Sequence, residues 1–223
     1  MKAFIDSFDA RGGPNTTSMG ADGFSAGPTN KGKFVIARCG KHSSRRYPDW
    51  SRILWGTPLK EEGGILKVKM GNVWRKLSDF TPVTKGQILD YHEELYGSKT
   101  MPNKWVFNDF GHITCYYFKD INGNRRKDGK EKISGEFIHT TPSNEAQTLK
   151  GSPVILTDSH GCIHVKPQDV DKMIRKKYLR KGNQIIVHDY SNKAPRVTHA
   201  GGSPPFELHF YPGDGKILVK GKI

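Results

Sequence analysis

The chain has 223 residues, 35% hydrophobic and 10% aromatic, which suffices for one packed domain with elaborations. No run of about eighteen apolar residues occurs, so the sequence holds no candidate membrane span. The net charge of +14 implies a polyanionic neighbourhood, but the basic residues sit in separate clusters at 41–46, 124–132 and 173–181. No zinc-finger spacing and no aromatic-glycine RNA-binding signature accompanies them. An anionic polymer surface such as a bacterial wall would also attract such charge, and the bland reading is a solvated basic surface with no dedicated partner.

Twenty-five glycines and thirteen prolines predict many turns, hence a β-rich fold. Residues 2–9 alternate as a first strand; a glycine-rich loop covers 11–32, and "FVIA" at 34–37 reads as a short buried strand. The start, "MKAFIDSFDARGG", lacks the apolar core and cleavage site of a secretory signal, so either the sequence is trimmed or the protein reaches its target by another route. Between 47 and 110 lie the strand-like "GILKVKM" and "NVWRKL" and a helical candidate, "KGQILDYHEELYG". "RYPDWSRILW", with Trp50 and Trp55, reads as core aromatics rather than a sugar-stacking platform.

"HITCYYFKD" and "ISGEFIHTT" read as strands, followed by a loop up to "SHGCIHV". "KPQDVDKMIRKKYL" carries the best helix signal. Pro167 suits the first turn, Asp169 and Asp171 the positive end and Arg175 to Arg180 the negative end. Val170, Ile174 and Tyr178 form its apolar stripe, with Gly182 as the stop. "QIIVHDY" is a further buried strand, and "FELHFYPGDGKILVKG" a hairpin around "PGDG".

The chemistry concentrates at 159–165, "SHGCIHV". A cysteine nucleophile needs a lowered pKa or a base within reach. Gly161 permits a tight backbone approach, and His160, or His139 at the end of "EFIH", can supply the imidazole. A metal reading takes His160, Cys162 and His164, which would share one strand face, but Cys39 and Cys115 supply no paired ligand spacing. The bland reading is a buried cysteine in a turn. Three cysteines are most simply one free thiol plus one disulfide, with no bridge fixed by sequence. Asp120, Asn122, Asn124, Asp128 and Glu131 fall at positions 1, 3, 5, 9 and 12 of a calcium-loop pattern. Arg125 replaces its glycine and strands flank it, so a long hairpin turn explains the letters better.

"SHGCIHV" resembles the signature of the L,D-transpeptidases (the YkuD-like catalytic domain). "GPTNKGKFVIA" at 27–37 looks like that family's "TPTGTF" segment, and "FIHTTP" at 137–142 like its upstream histidine element. The resemblance covers roughly 27–38 and 133–190 and departs from the pattern twice. Nineteen residues separate His139 from Ser159, more than the usual gap, and His164 stands where arginine or asparagine is common.

The resemblance implies a mainly β, α+β fold with one principal helix, built as a sandwich of mixed sheets with a large insertion. The catalytic domain would be 1–190 with the insertion at about 40–132, and 191–223 a hairpin on the same domain, in the place of the family's first hairpin. It implies cysteine acyl transfer on peptidoglycan stem peptides at the periplasm or envelope, with no cofactor. Cys162 would be the nucleophile and His139 its base, oriented by the carbonyl of Thr140. Ser159 and His160 would shape the turn, the amides of Gly161 and Cys162 would hold the oxyanion, and His164 and Thr141 would contact substrate. Transpeptidation, D-amino acid exchange and L,D-carboxypeptidase activity all fit. The insertions and the basic charge favour an antibacterial effector with an immunity or delivery partner. The rival is a non-catalytic binding module for wall polymer or nucleic acid with a His/Cys metal site.

Overall fold

The structure, a computed structural model, describes residues 1–20, 23–42 and 53–223. Its elements begin with β1 (Lys2–Arg11), the two-residue strands β2 (Ser18–Met19) and β3 (Ser25–Ala26), and β4 (Gly32–Gly40). Next come β5 (Leu59–Glu62), β6 (Ile65–Met70), β7 (Val73–Lys76), α1 (Lys85–Tyr96), β8 (Thr114–Phe118), β9 (Ile133–His139) and α2 (Pro142–Leu149). The chain finishes with β10 (Ile163–Val165), α3 (Pro167–Arg175), β11 (Gln184–Val187), β12 (Ser203–Tyr211) and β13 (Lys216–Lys222). This is mainly sheet with three helices, the α+β class expected.

Two compact units divide these elements. The first holds Met1–Cys39, Cys115–His139 and Ile155–Ile223. Eight of its strands close into a barrel in the order β1-β10-β9-β8-β4-β11-β12-β13, so the expected mixed sheets are joined at their edges, while β2 and β3 pair as a separate two-stranded sheet. Most described pairings are antiparallel, but β10 runs parallel to β9 and β11 parallel to β12. The β12–β13 hairpin turns on "PGDG", with Gly215 at φ +62, and pairs on one side with β11 and on the other with β1. Ile223 N–H donates to the Met1 carbonyl at 3.1 Å, so both ends of the chain lie together.

α3 packs on this barrel because its spacing puts Val170 and Met173 on one face, both fully buried. Each such burial is worth about 1.5–3 kcal/mol. Lys172 and Lys176 pair with Asp6 of β1, and Tyr178 meets Phe8 edge-on at 6.3 Å. The helix stops at Arg175, earlier than the sequence pattern suggests. Lys177 adopts φ +61, which ends the helical run before Gly182 is reached.

A partly buried polar pair sits in the wall: Nε2 of half-buried His188 and Nδ1 of buried His209 are 3.0 Å apart. Burial, reinforced by the charges of His188 and Lys220 against a weaker pull from Glu207, pushes His209 from 6.5 to about 4. The unfolded chain therefore takes up this proton as pH falls through 6.5, while the folded chain resists until about 4. Stability from this site is full above the upper value and lost across that window, by about 3 kcal/mol. Denaturant unfolding at pH 7.5 and 4.5 should show the loss, and His209→Gln should flatten it.

The second unit comprises Gly40–Thr114 and Thr140–Val154. It has its own core, in which Ile53, Leu59, Val68, Leu77, Ile88, Trp105 and Phe107 are buried. β5, β6 and β7 form an antiparallel meander. α1 starts with a capping box between Thr84 and Gln87 and stops at Gly97 in the left-handed conformation. The segment expected as an insertion, 40–132, thus divides: 40–114 fold in this unit, whereas 115–132 run with the barrel.

The expected loop after His139 contains α2 instead. Thr141 caps it by accepting the Asn144 N–H at 3.2 Å, and Pro142 fits its first turn. The sequence signal T-P-x-x-E was present but masked by the surrounding Ser, Asn and Gly. Trp55 is half-buried and gives its carbonyl to Lys41 Nζ at 2.6 Å, while Trp50 lies outside the described residues.

Candidate active site

Where β1 ends, Gly12 and Gly13 run under the turn that carries Cys162. Ser159 N–H donates to the Gly12 carbonyl at 3.0 Å, and a Cβ at Gly13 would collide with the Gly27 carbonyl. Behind them Gly13 N–H donates to Thr29 Oγ1 at 3.1 Å, and the Tyr190 hydroxyl donates to the Gly13 carbonyl at 2.6 Å. Thr29 N–H in turn donates to the Tyr190 hydroxyl at 3.1 Å. The turn therefore rests on a fixed backbone platform.

Ser159 is buried and bridges the turn. Its hydroxyl donates to the Cys162 carbonyl and accepts the Gly161 N–H at 3.0 Å. The Gly161 amide, one of the two expected to face an oxyanion, is thus engaged within the turn. Gly161 has φ +135, and an added Cβ would lie 3.2 Å from Glu136 Oε1. Gly161→Ala should cost about 1–3 kcal/mol of local strain and lower turnover by more than tenfold. Thermal melting beside steady-state rates on a stem peptide checks both halves.

Cys39 and Cys115 form a disulfide, leaving Cys162 as the free cysteine. The Phe137 N–H donates to its sulfur at 3.4 Å. Burial pushes the thiol up to about 12, Phe137 works against that rise and Glu136 adds to it. One step further along the parallel β9–β10 pairing His139 stands opposite His164, their rings 4.8 Å apart and nearly perpendicular. His164 is buried and pairs its Nδ1 with the Thr157 carbonyl at 2.9 Å, so that nitrogen is the donor. Burial also lowers its pKa, keeping the ring neutral. His160 is exposed and meets Phe24 edge-on at 6.2 Å. In the second unit, the Thr140 hydroxyl donates to Glu145 and the Thr141 hydroxyl caps α2.

A cleft of about 650 Å³ in the barrel unit is lined by His160, Glu136, Thr29, Asn30, Lys31 and Tyr190, among others. Glu136 is held there by both nitrogens of Asn30 and by the Tyr117 hydroxyl. Burial raises its pKa more than these donors lower it. The platform residues Gly12, Gly13, Thr29 and Tyr190, with Asn30 and Glu136, are the site members that motif reading passed over. The doubled glycine after an alternating strand, and one acid three residues before His139, were the available signals.

At 120–131 the carboxylates serve the turn itself. Asp120 accepts from Gly123 and Arg125 N–H, Asp128 from the side-chain amides of Asn122 and Asn124, and Glu131 from Ile121 and Asp128 N–H. Arg125, where a calcium loop has glycine, takes φ +59. Among the described residues no group of three or more His, Cys, Asp or Glu side chains is arranged to hold a metal. Nor, among them, is any helix long and apolar enough to cross a membrane.

Compared with known families, residues 8–187 match the model of the YkuD L,D-transpeptidase catalytic domain. Searches among curated proteins and among solved structures return no match.

Proposed function

The chain belongs to the L,D-transpeptidase catalytic domain family, and from that membership and the geometry of the Cys162 turn we propose a cysteine acyltransferase acting on peptidoglycan stem peptides. The observation that carries this reading is a free thiol on a braced glycine turn, with His139 paired across the β9–β10 register to His164, two residues beyond Cys162.

In this reading His139 takes the thiol proton and the sulfur of Cys162 attacks the carbonyl carbon of the third stem residue. The C–N bond to the terminal D-alanine breaks, and His139 returns its proton to the departing amine. The Cys162 N–H holds the oxyanion while the tetrahedral centre lasts. A second amine, or water, then attacks the thioester carbon and gives a proton to His139. The C–S bond breaks and the thiol is restored. An amine of a neighbouring stem gives a cross-link, a free D-amino acid gives exchange, and water gives carboxypeptidase action.

Two further features support envelope chemistry. The Cys39–Cys115 disulfide suits an oxidising compartment, and the charge of +14 suits an anionic wall. Mass analysis of muropeptides after incubation with the protein tests the proposal: new cross-links, exchanged termini or shortened stems are expected, and unchanged muropeptides overturn it. The antibacterial version further predicts growth arrest when the chain is expressed behind a periplasmic signal and none without it. A binding module would instead leave Cys162 unlabelled by a carbapenem.

A further inference from the structure

The acyl-transfer steps leave one group of the cleft without a task. Glu136 stands on β9 three residues before His139 and lines the cleft together with His160. Its carboxylate accepts from Asn30 N–H at 3.1 and 3.2 Å, from Asn30 Nδ2 at 2.7 Å and from the Tyr117 hydroxyl at 3.3 Å. All of these donors are neutral. Lys31, which lines the same cleft, is tied to Asp189 at 3.0 Å, so among the described residues no cation pairs with Glu136. A carboxylate drawn partly out of water without a counter-charge is a receptor for one.

Its position adds a second consequence. Oε1 lies against Gly161, within 3.2 Å of where a Cβ would be, so its negative charge faces the backbone that presents the sulfur. That charge opposes a second negative charge on Cys162. Tyr117, which donates to it, is held protonated by burial and brings no charge of its own.

We propose that Glu136 receives the side-chain ammonium of the donor's third, diamino residue, and that seating this cation beside the Gly161 turn eases the passage of the Cys162 proton to His139. The inference rests on the reading of Cys162 as an acyl-transfer nucleophile. The cation must belong to the donor, because the thiolate is needed before any acceptor enters. Selection of substrate is then exercised in the acylation step itself as well as in affinity.

The test uses the full chain. Alkylation of Cys162 by iodoacetamide, followed against pH without substrate, should be faster near neutrality in Glu136→Gln by about tenfold, whereas Glu136→Asp, which keeps the charge, should follow the wild type. Two tetrapeptide stems, one with a free side-chain amine and one N-acetylated there, complete it. The wild type should acylate on the free-amine stem about tenfold faster or more. Glu136→Gln should lose that preference, with a higher KM for the free-amine stem and a higher kcat for the acetylated one. An unchanged alkylation profile together with an unchanged preference, in a variant that melts as cooperatively as the wild type, overturns the proposal. If Glu136→Gln does not fold, the wild type alone decides: a tripeptide stem with a free amine must accelerate alkylation and its acetylated form must not. Failure of the nucleophile reading looks different, since Cys162→Ala would then process stem peptides at the wild-type rate.

Discussion

Cys162→Ala is expected to abolish stem-peptide turnover and to leave the barrel folded. The other two cysteines are spent on each other, so no second sulfur is available to form a thioester. The turn is held by contacts that do not involve the sulfur: Ser159 to Gly12, Gly161 to Ser159, and Ser159 to the Cys162 carbonyl. Losing one half-buried thiol should therefore cost no more than about 1 kcal/mol of stability. Mass spectrometry of the wild type during turnover should trap an added acyl fragment on the peptide that contains residue 162, and the variant should show none. Turnover by the variant at the wild-type rate would end the enzymatic reading altogether.

His139→Ala is expected to slow turnover by about 10² to 10⁴ without abolishing it. That range corresponds to about 3 to 5 kcal/mol of barrier. The residue is buried at the end of β9, and its ring lies against the neutral ring of His164. The resting thiol sits near 12, so at neutral pH almost every attack needs a base to take the proton. Without the imidazole, only the small thiolate fraction and water carry the reaction. Added imidazole should restore part of the rate in His139→Ala, and none in Cys162→Ala. A loss shared equally between kcat and kcat/KM would place the effect in the transition state rather than in binding.

Much of this architecture was legible in the chain. β1, the buried "FVIA" strand, the helix after the cysteine and the terminal hairpin each carry a local signal that matches the period of the element formed. What escaped was tertiary. Alternation marks β1 as a strand but does not say that Gly12 and Gly13 at its end will underlie residue 161. Glu136 reads as one more polar position of a strand until Asn30 and Tyr117 are seen closing on it. α2 escaped for a local reason, because Ser and Asn favour turns as readily as the first turn of a helix. Closure of the sheets into a barrel depends on β13 meeting β1 across almost the whole chain, which no window of sequence reports.

The covalent link between Cys39 and Cys115 ties the last residues of β4 to the start of β8, 76 positions apart and adjacent in the barrel. It therefore pins the two ends of the longer excursion, 40–114, where the chain leaves the barrel unit and returns to it. A protease that nicks the intervening stretch releases no fragment, because both cut ends stay tethered through the sulfurs.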